Sequence, residues 1–321
     1  MLWRKDFGFE PQAPGLLQLC ADAQVEQSTV TGLENSLFQQ LGYQTEQGIP
    51  FAWYRYQLDF GVPPSVPLLC ADPVCLQSGI SQVLLEARVP RITSLDLQLL
   101  LGKLNQHLAQ DGLELVAKHP QRWYLLKNNA RIQLPEHTVP LTQAWGQDIY
   151  PLLPQGENRY WHRLINEMQM LLHDSGVDAV NGVWLWGGVN KLPPAEITQT
   201  STDMAVAGQT VNAQTVAGAA GVACQAAAHL REVRAAATTI VVLEDLMSAA
   251  LKDETYGWQQ LLDRLEDQWL MPAWTDLKAG LLDVSLHPCD GRIFHCQMPG
   301  RWKFWQKRSI RWQDLETPPF Q

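Results

Sequence analysis

Residues 153–188, LPQGENRYWHRLINEMQMLLHDSGVDAVNGVWLWGG, join an amphipathic helix to a short apolar strand that ends in a tryptophan–glycine turn. Leu164, Met168, Leu171 and Leu172 recur at helical spacing, which predicts one buried helix face. Val183, Trp184, Leu185 and Trp186 form an unbroken apolar run, the pattern of a strand covered on both faces. Gly187 and Gly188 then allow a sharp turn or a close approach of the backbone to a neighbour. A strand whose carboxyl end opens into a glycine-rich loop is a usual ligand position in α/β sheets. No reactive side chain stands beside this loop.

Further along the chain, strand and helix signals alternate. Buried strands are expected near residues 68–70, 183–186 and 239–243, and helices over 31–43 and 256–270. The Ala-rich run 211–234 also reads as helical, and residues 281–287 and 291–296 read as a hairpin closed through Pro-Cys-Asp-Gly. Ser94 is the expected N-cap of a helix that stops at Gly112. Paired strands at 113–116 and 123–126 follow it, with a further short strand at 131–134. The pattern predicts an α/β fold: an open, mainly parallel sheet with helices on both faces, and a small α+β insertion. The expected division is a core of residues 1–81 and 151–321, interrupted by a subdomain at 82–150.

The composition narrows the function classes. With 321 residues and 46% hydrophobic content, the chain has ample material for a packed core. A net charge of −9 disfavours nucleic acid or an anionic membrane surface as the main partner. The one basic stretch, RWKFWQKRSIRW at 301–312, reads as a strand with a basic outer face. No apolar run reaches about 18 residues, so no membrane-spanning helix is expected. The N-terminal residues lack an apolar signal region, and the six cysteines are scattered, so reduced thiols and a cytoplasmic location are expected.

Several groups of residues could carry chemistry. Around the glycine loop, Asp72, Trp145, Asp148, Trp186, Gly187, Gly188 and Asn190 are the candidate pocket residues. Asp72, which precedes Pro73, reads as a turn former or a polar site residue. Asp203, Glu244, Asp245 and Asp253 could supply carboxylates to a Mn or Mg site, though Glu244 or Asp245 equally suits a helix cap. His287, Cys289, His295 and Cys296 have zinc-ligand chemistry, but His295 and Cys296 alternate across one strand and cannot readily share an ion. His162 and His173 read as helix histidines. Phosphate-cradling GxxxxGK[ST] and GxGxxG loops and the GxSxG elbow are missing from the sequence.

The order of elements resembles the archaeal-type cofactor-independent phosphoglycerate mutases of the alkaline-phosphatase superfamily. A closer resemblance is to a group of short bacterial phosphoglycerate-mutase-like proteins. They share Ala71–Val74, Arg122–Leu125, Leu153–Gly156, Asn166–His173, Trp184–Gly188 and Trp302–Trp305. The resemblance implies an alkaline-phosphatase-like layout, a lid in place of 82–150, and phosphoryl chemistry on two metal ions. The mutases carry a nucleophilic serine before an L-G-Y segment; here Leu41-Gly42-Tyr43 is preceded by Gly32-Leu33-Glu34, which sets Leu33 at the nucleophile position. An aliphatic side chain cannot form a phosphoenzyme. The mutases also carry an H-x-K-x-x-D-x-x-G-H-D metal motif after a late strand, whereas residues 244–254 here read EDLMSAALKDE. The expectation is a degenerate, noncatalytic protein without a metal cofactor. It would bind a small phosphorylated metabolite or a protein partner. Two alternatives are a metal-dependent phosphatase or mutase with rearranged ligands, and an assembly protein docking through its C-terminal strand.

Overall fold

The computed structural model describes residues 10–44, 48–129, 131–135, 137–154, 159–190, 203–234, 236–247, 255–298 and 311–315. In chain order the main elements are α1 (Pro14–Ala21), β1 (Gln24–Thr31), α2 (Leu33–Gln40), α3 (Phe51–Phe60), β2 (Leu68–Val74), β3 (Leu76–Ser78) and β4 (Val83–Leu85). They continue with α4 (Ser94–Leu108), β5 (Leu113–His119), β6 (Arg122–Lys127), α5 (Arg159–His173), β7 (Gly182–Trp186), β8 (Met204–Ala207), α6 (Val211–Ala220) and β9 (Cys224–Gln225). The last are β10 (Thr238–Val241), α7 (Thr255–Leu265), α8 (Met271–Lys278), β11 (Val284–Leu286) and β12 (Asp290–Cys296). The fold is mixed α/β.

The chain forms two compact units, one of residues 33–201 with 214–221 and one of 1–32, 202–213 and 222–321. These boundaries differ from the expected ones at 82 and 150. Strands β5 and β6, expected in the insertion, continue the same sheet as β2 and β7 in the order β5-β6-β2-β7.

That sheet is antiparallel throughout, which corrects the expectation of a mainly parallel one. Among the described strands only β8, β9 and β10 pair in parallel. The reason is physical. An apolar run reports burial on both faces but says nothing about the direction of its neighbour, which depends on pairings far apart in sequence. Each residue of β2 is buried, including Asp72 and Pro73. Pairing of β2 with β6 stops at Cys70, and the stretch containing Pro73 is laddered to β7. A proline, lacking an N–H, is tolerated where a strand has lost one neighbour.

Helix α3 packs on β2, α4 on β5 and α5 on β7. Of the expected apolar face of α5, Leu164, Met168 and Leu172 are buried together with Trp161 and Ile165, and Leu171 is half-buried. Thr93, one residue earlier than expected, caps α4. Its hydroxyl accepts the Asp96 N–H at 3.2 Å, and the Asp96 carboxylate accepts the Thr93 N–H at 3.2 Å. No strand forms at 131–134, because the side-chain amide of Asn190 takes the place of a ladder neighbour. It accepts the Leu134 N–H at 2.9 Å and donates to the Leu134 carbonyl at 3.0 Å.

In the other unit, β1, β12 and β11 form an antiparallel sheet, and the expected 281–296 hairpin is its second and third strands. Phe294 and Cys296 face a core made with Leu16, Leu19, Cys20, Trp258, Leu262 and Trp274. The start of α1 is held by a buried carboxylate: Glu266 accepts the N–H groups of Gly15 at 2.7 Å and Leu16 at 2.9 Å. Burial raises the Glu266 carboxyl above its ordinary range, against the effect of those two bonds. The Ala-rich helix α6 is shorter than expected, ending at Ala220. Gly221 follows with φ of 70°, a left-handed terminator that suits glycine. Strand β10, expected to be buried, is half-buried over Thr239–Val241 and lies at one end of the described order β10-β8-β9.

Candidate functional site

Helix α3 sets Phe51, Arg55 and Asp59 on one face at i, i+4 and i+8, and all three are buried. A guanidinium carried on the face that packs against a sheet requires a counter-ion. Asp72, in the middle of β2, supplies it. Arg55 donates from its two terminal nitrogens to the Asp72 carboxylate at 2.9 and 2.7 Å, and both side chains are at most 5% exposed. The same guanidinium lies 4.9 Å from the Tyr124 ring centroid and 5.6 Å from that of Trp186. Trp186 donates its indole N–H to Asp72 at 2.8 Å and stacks on Phe51 with centroids 4.7 Å apart. Burial alone would lower the Arg55 pKa, but the Asp72 charge, together with Cys70, Tyr124 and the hydrogen bonding to Asp72, outweighs it and raises the pKa well above the ordinary value.

One helical turn further, Asp59 accepts Arg122 at 2.9 and 2.6 Å and the Tyr124 hydroxyl at 2.6 Å, with His119 at 3.5 Å. Burial acts to raise this carboxyl. The bonds from Arg122 and Tyr124 prevail and hold it below the ordinary carboxylate range. Thus Asp72 on the sheet and Asp59 on the helix anchor α3 through bidentate arginine contacts.

The glycine loop closes over the same elements. Gly187 has φ of 69°; its carbonyl accepts the Ala52 N–H at 2.8 Å and its N–H donates to the Thr138 hydroxyl at 3.1 Å. At Gly188 a Cβ would stand 2.3 Å from the Leu68 carbonyl oxygen. The close approach served by these glycines is therefore between segments of the fold itself. Trp184 donates to the Val139 carbonyl at 2.8 Å. Asp148 accepts the Val83 N–H at 3.1 Å and bridges to Leu84, while Trp145 is half-buried nearby in the chain. Asn190 is engaged by Leu134. Of the seven candidate pocket residues, Asp72, Asp148, Trp186, Gly187 and Asn190 have polar atoms bonded inside the fold. Asp72 forms no turn, contrary to one expectation; it is a strand residue.

The candidate metal carboxylates are dispersed. Asp203 precedes β8, whereas Glu244 and Asp245 follow β10 at the opposite end of that parallel pair; Asp253 lies outside the described residues. Glu244 follows β10 and is half-buried, with one carboxylate oxygen on the Thr210 hydroxyl and the other 2.9 Å from the Asn212 amide. It stands immediately before the helical residues 245–247, and its carbonyl accepts the Met247 N–H at 3.1 Å. Burial raises its carboxyl above the ordinary range despite those two bonds. Asp245 and Asp203 are exposed. Among the described residues, no group of three or more His, Cys, Asp or Glu side chains is arranged to hold a metal ion. This includes the zinc-type set of the hairpin, where Cys296 enters the core while His295 turns to the opposite face. Leu33, expected from the resemblance at the nucleophile position, is the half-buried first residue of α2, and the next residue, Glu34, is buried and accepts the Thr142 hydroxyl at 2.6 Å. His162 bonds the Pro154 carbonyl at 2.5 Å. The basic stretch 301–310, with Trp302 to Trp305, lies outside the described residues. The six cysteines are thiols outside any disulfide, and four of them are buried. No described helix is long and apolar enough to cross a membrane.

The sequence reading missed the pairing of Arg55 with Asp72. Its signal was a charged residue four positions from Phe51 on an otherwise apolar helix face, together with a single acid inside the buried run LLCADPV.

The chain is similar in structure to two solved proteins. One is the PH0037 protein from Pyrococcus horikoshii, with a TM-score of 0.43 and 9% identity over 83% of this chain and 74% of that one. The other is a cofactor-independent phosphoglycerate mutase from Thermoplasma acidophilum DSM 1728, with a TM-score of 0.35 and 10% identity over 81% and 78% of the two chains. No family model matches the chain, and no curated protein does.

Proposed function

We propose that the chain is a degenerate phosphoglycerate-mutase-like protein that performs no phosphoryl transfer. In this reading it acts as a binding or regulatory protein for a small phosphorylated metabolite or a protein partner. The observation that carries the reading is the state of Asp72. The one acid in the central run of β2 is closed by a bidentate arginine and an indole N–H, which leaves it no role as a metal ligand or proton carrier. Leu33 at the nucleophile position supports the same reading, since a hydrocarbon cannot accept a phosphoryl group. Two-metal phosphoryl transfer needs carboxylates converging on both ions, and the described carboxylates are engaged elsewhere or dispersed.

The test is turnover of p-nitrophenyl phosphate and of 3-phosphoglycerate, with Mn²⁺, Mg²⁺ or Zn²⁺ added in turn. The expected result is a rate equal to the protein-free blank under each metal. Turnover abolished by Glu244→Gln or Asp245→Ala would replace this reading with that of a phosphatase or mutase with rearranged ligands.

A further inference from the structure

The outer face of the β1-β12-β11 sheet carries a serine, a histidine and a carboxylate in relay, none of which the proposed function uses. In β12, Phe294 and Cys296 point into the core, so His295 stands on the opposite face. Register sets Ser285 of β11 directly across from His295. On the other flank Gln24 of β1 is across from His295, and Glu26, two residues on, is its diagonal neighbour on the same face. The side chains meet: the Ser285 hydroxyl is 3.1 Å from His295 Nδ1, and His295 Nε2 is 2.9 Å from the Glu26 carboxylate. A carboxylate on one ring nitrogen fixes the tautomer with the proton on Nε2, leaving Nδ1 as the acceptor for the serine proton. His287, just beyond β11, lies close enough to sense both partners; burial first, and then His295, lower its pKa below the ordinary range.

We propose that Ser285 is an activated nucleophile, with His295 as its general base and Glu26 as the positioning residue, and that it accepts acyl groups from activated esters. In the step, Ser285 Oγ forms a bond to the acyl carbon while its proton passes to His295 Nδ1. The bond from that carbon to the leaving oxygen breaks, and the electron pair departs on the leaving group as an alkoxide or phenolate. The imidazolium is held by Glu26 and then releases its proton to the leaving group or to water. The product is a serine ester on an exposed sheet face, open to a small acyl donor. Both ring-nitrogen contacts of His295 are used, which distinguishes this trio from a simple cross-strand pair. The site is independent of phosphoryl chemistry, so its failure and that of the function proposed above are separable.

Exposure of the full-length protein to p-nitrophenyl acetate tests the proposal, with release of p-nitrophenolate followed by absorbance and the adduct mapped by peptide mass spectrometry. The expected result is one acetyl group per chain on Ser285, absent in Ser285→Ala. Acetylation should slow by about ten-fold or more in His295→Gln, the lower end of what a general base supplies once solvent exposure is considered. Glu26→Asp should retain more of the rate than Glu26→Gln, a rescue that a purely structural role for the carboxylate would not produce. Circular dichroism confirms that each variant is folded; Ser285 is exposed, so its truncation removes no packing. Acetylation on lysines with Ser285 unmodified, or an unchanged rate in folded His295→Gln, overturns the proposal.

Discussion

Arg55→Ala should destabilise the four-stranded unit by about 3–5 kcal/mol, because it leaves the Asp72 carboxylate buried without a counter-charge. Asp72→Ala should cost a similar amount. It strands the guanidinium and also removes the acceptor of the Trp186 indole N–H. The informative variant is the pair Arg55→Met with Asp72→Asn. It removes both charges, keeps an acceptor for Trp186, and roughly preserves volume, so it should lie within about 2 kcal/mol of the wild type. Against its own singles, Arg55→Met and Asp72→Asn, this pair should show a coupling of at least about 2 kcal/mol, well above the few tenths expected for independent sites. Hydrogen exchange of the β2 amides, residues 68–72 and 74, reads the loss directly in the unit concerned. Additive single effects, or an Arg55→Ala protein with wild-type protection, would show that Asp72 is not a structural counter-ion.

Gly188→Ala should be the most damaging of the single-methyl changes in the loop. The added carbon would meet the Leu68 carbonyl oxygen at 2.3 Å and Leu69 Cδ2 at 2.7 Å. A side chain could swing away, but Leu68 is fixed by its pairing with Leu126, so the backbone itself must move. Overpacking against a backbone that cannot yield costs about 3 kcal/mol, at the upper end of the usual range. Gly102→Ala is the control, and its effect should have the opposite sign. Gly102 is inside α4 with nothing within 4 Å of an added Cβ, so the helix gains about 0.5–1 kcal/mol. Denaturation midpoints of the two variants should fall on either side of the wild type. Equal midpoints would mean that the loop has room for a ligand group where the structure packs β2 against it.

These two predictions also mark how far the sequence could be read. Helix α5 and strand β7 were legible because their signals are local: a 3.6-residue apolar period in one, four consecutive apolar residues in the other. The hairpin of β11 and β12 was legible for the same reason, with turn residues between two alternating runs. Strand β1 was not, since QVEQSTVT is exposed over most of its length and lacks an apolar alternation. The antiparallel order of β5-β6-β2-β7 was also hidden, because it depends on contacts such as Asp72 with Trp184 across the sheet. The candidate site was half legible. The loop glycines and Asp72 were identified as special, but the reason was assigned to a ligand. The partners that claim them, Arg55, Ala52, Thr138 and Leu68, lie from 17 to 135 residues away and leave no local trace. The relay of Glu26, His295 and Ser285 was invisible for a similar reason, since its members meet only through the register of three strands.

The central claim is that the chain has lost the metal site of phosphoryl transfer, and metal content tests it most directly. Purified protein, equilibrated with Mn²⁺, Mg²⁺ and Zn²⁺ and then freed of loose ions by gel filtration, would be measured by elemental analysis. Well under one equivalent of each metal per chain is expected. One or two retained equivalents that disappear in Glu244→Gln or Asp245→Ala would contradict it.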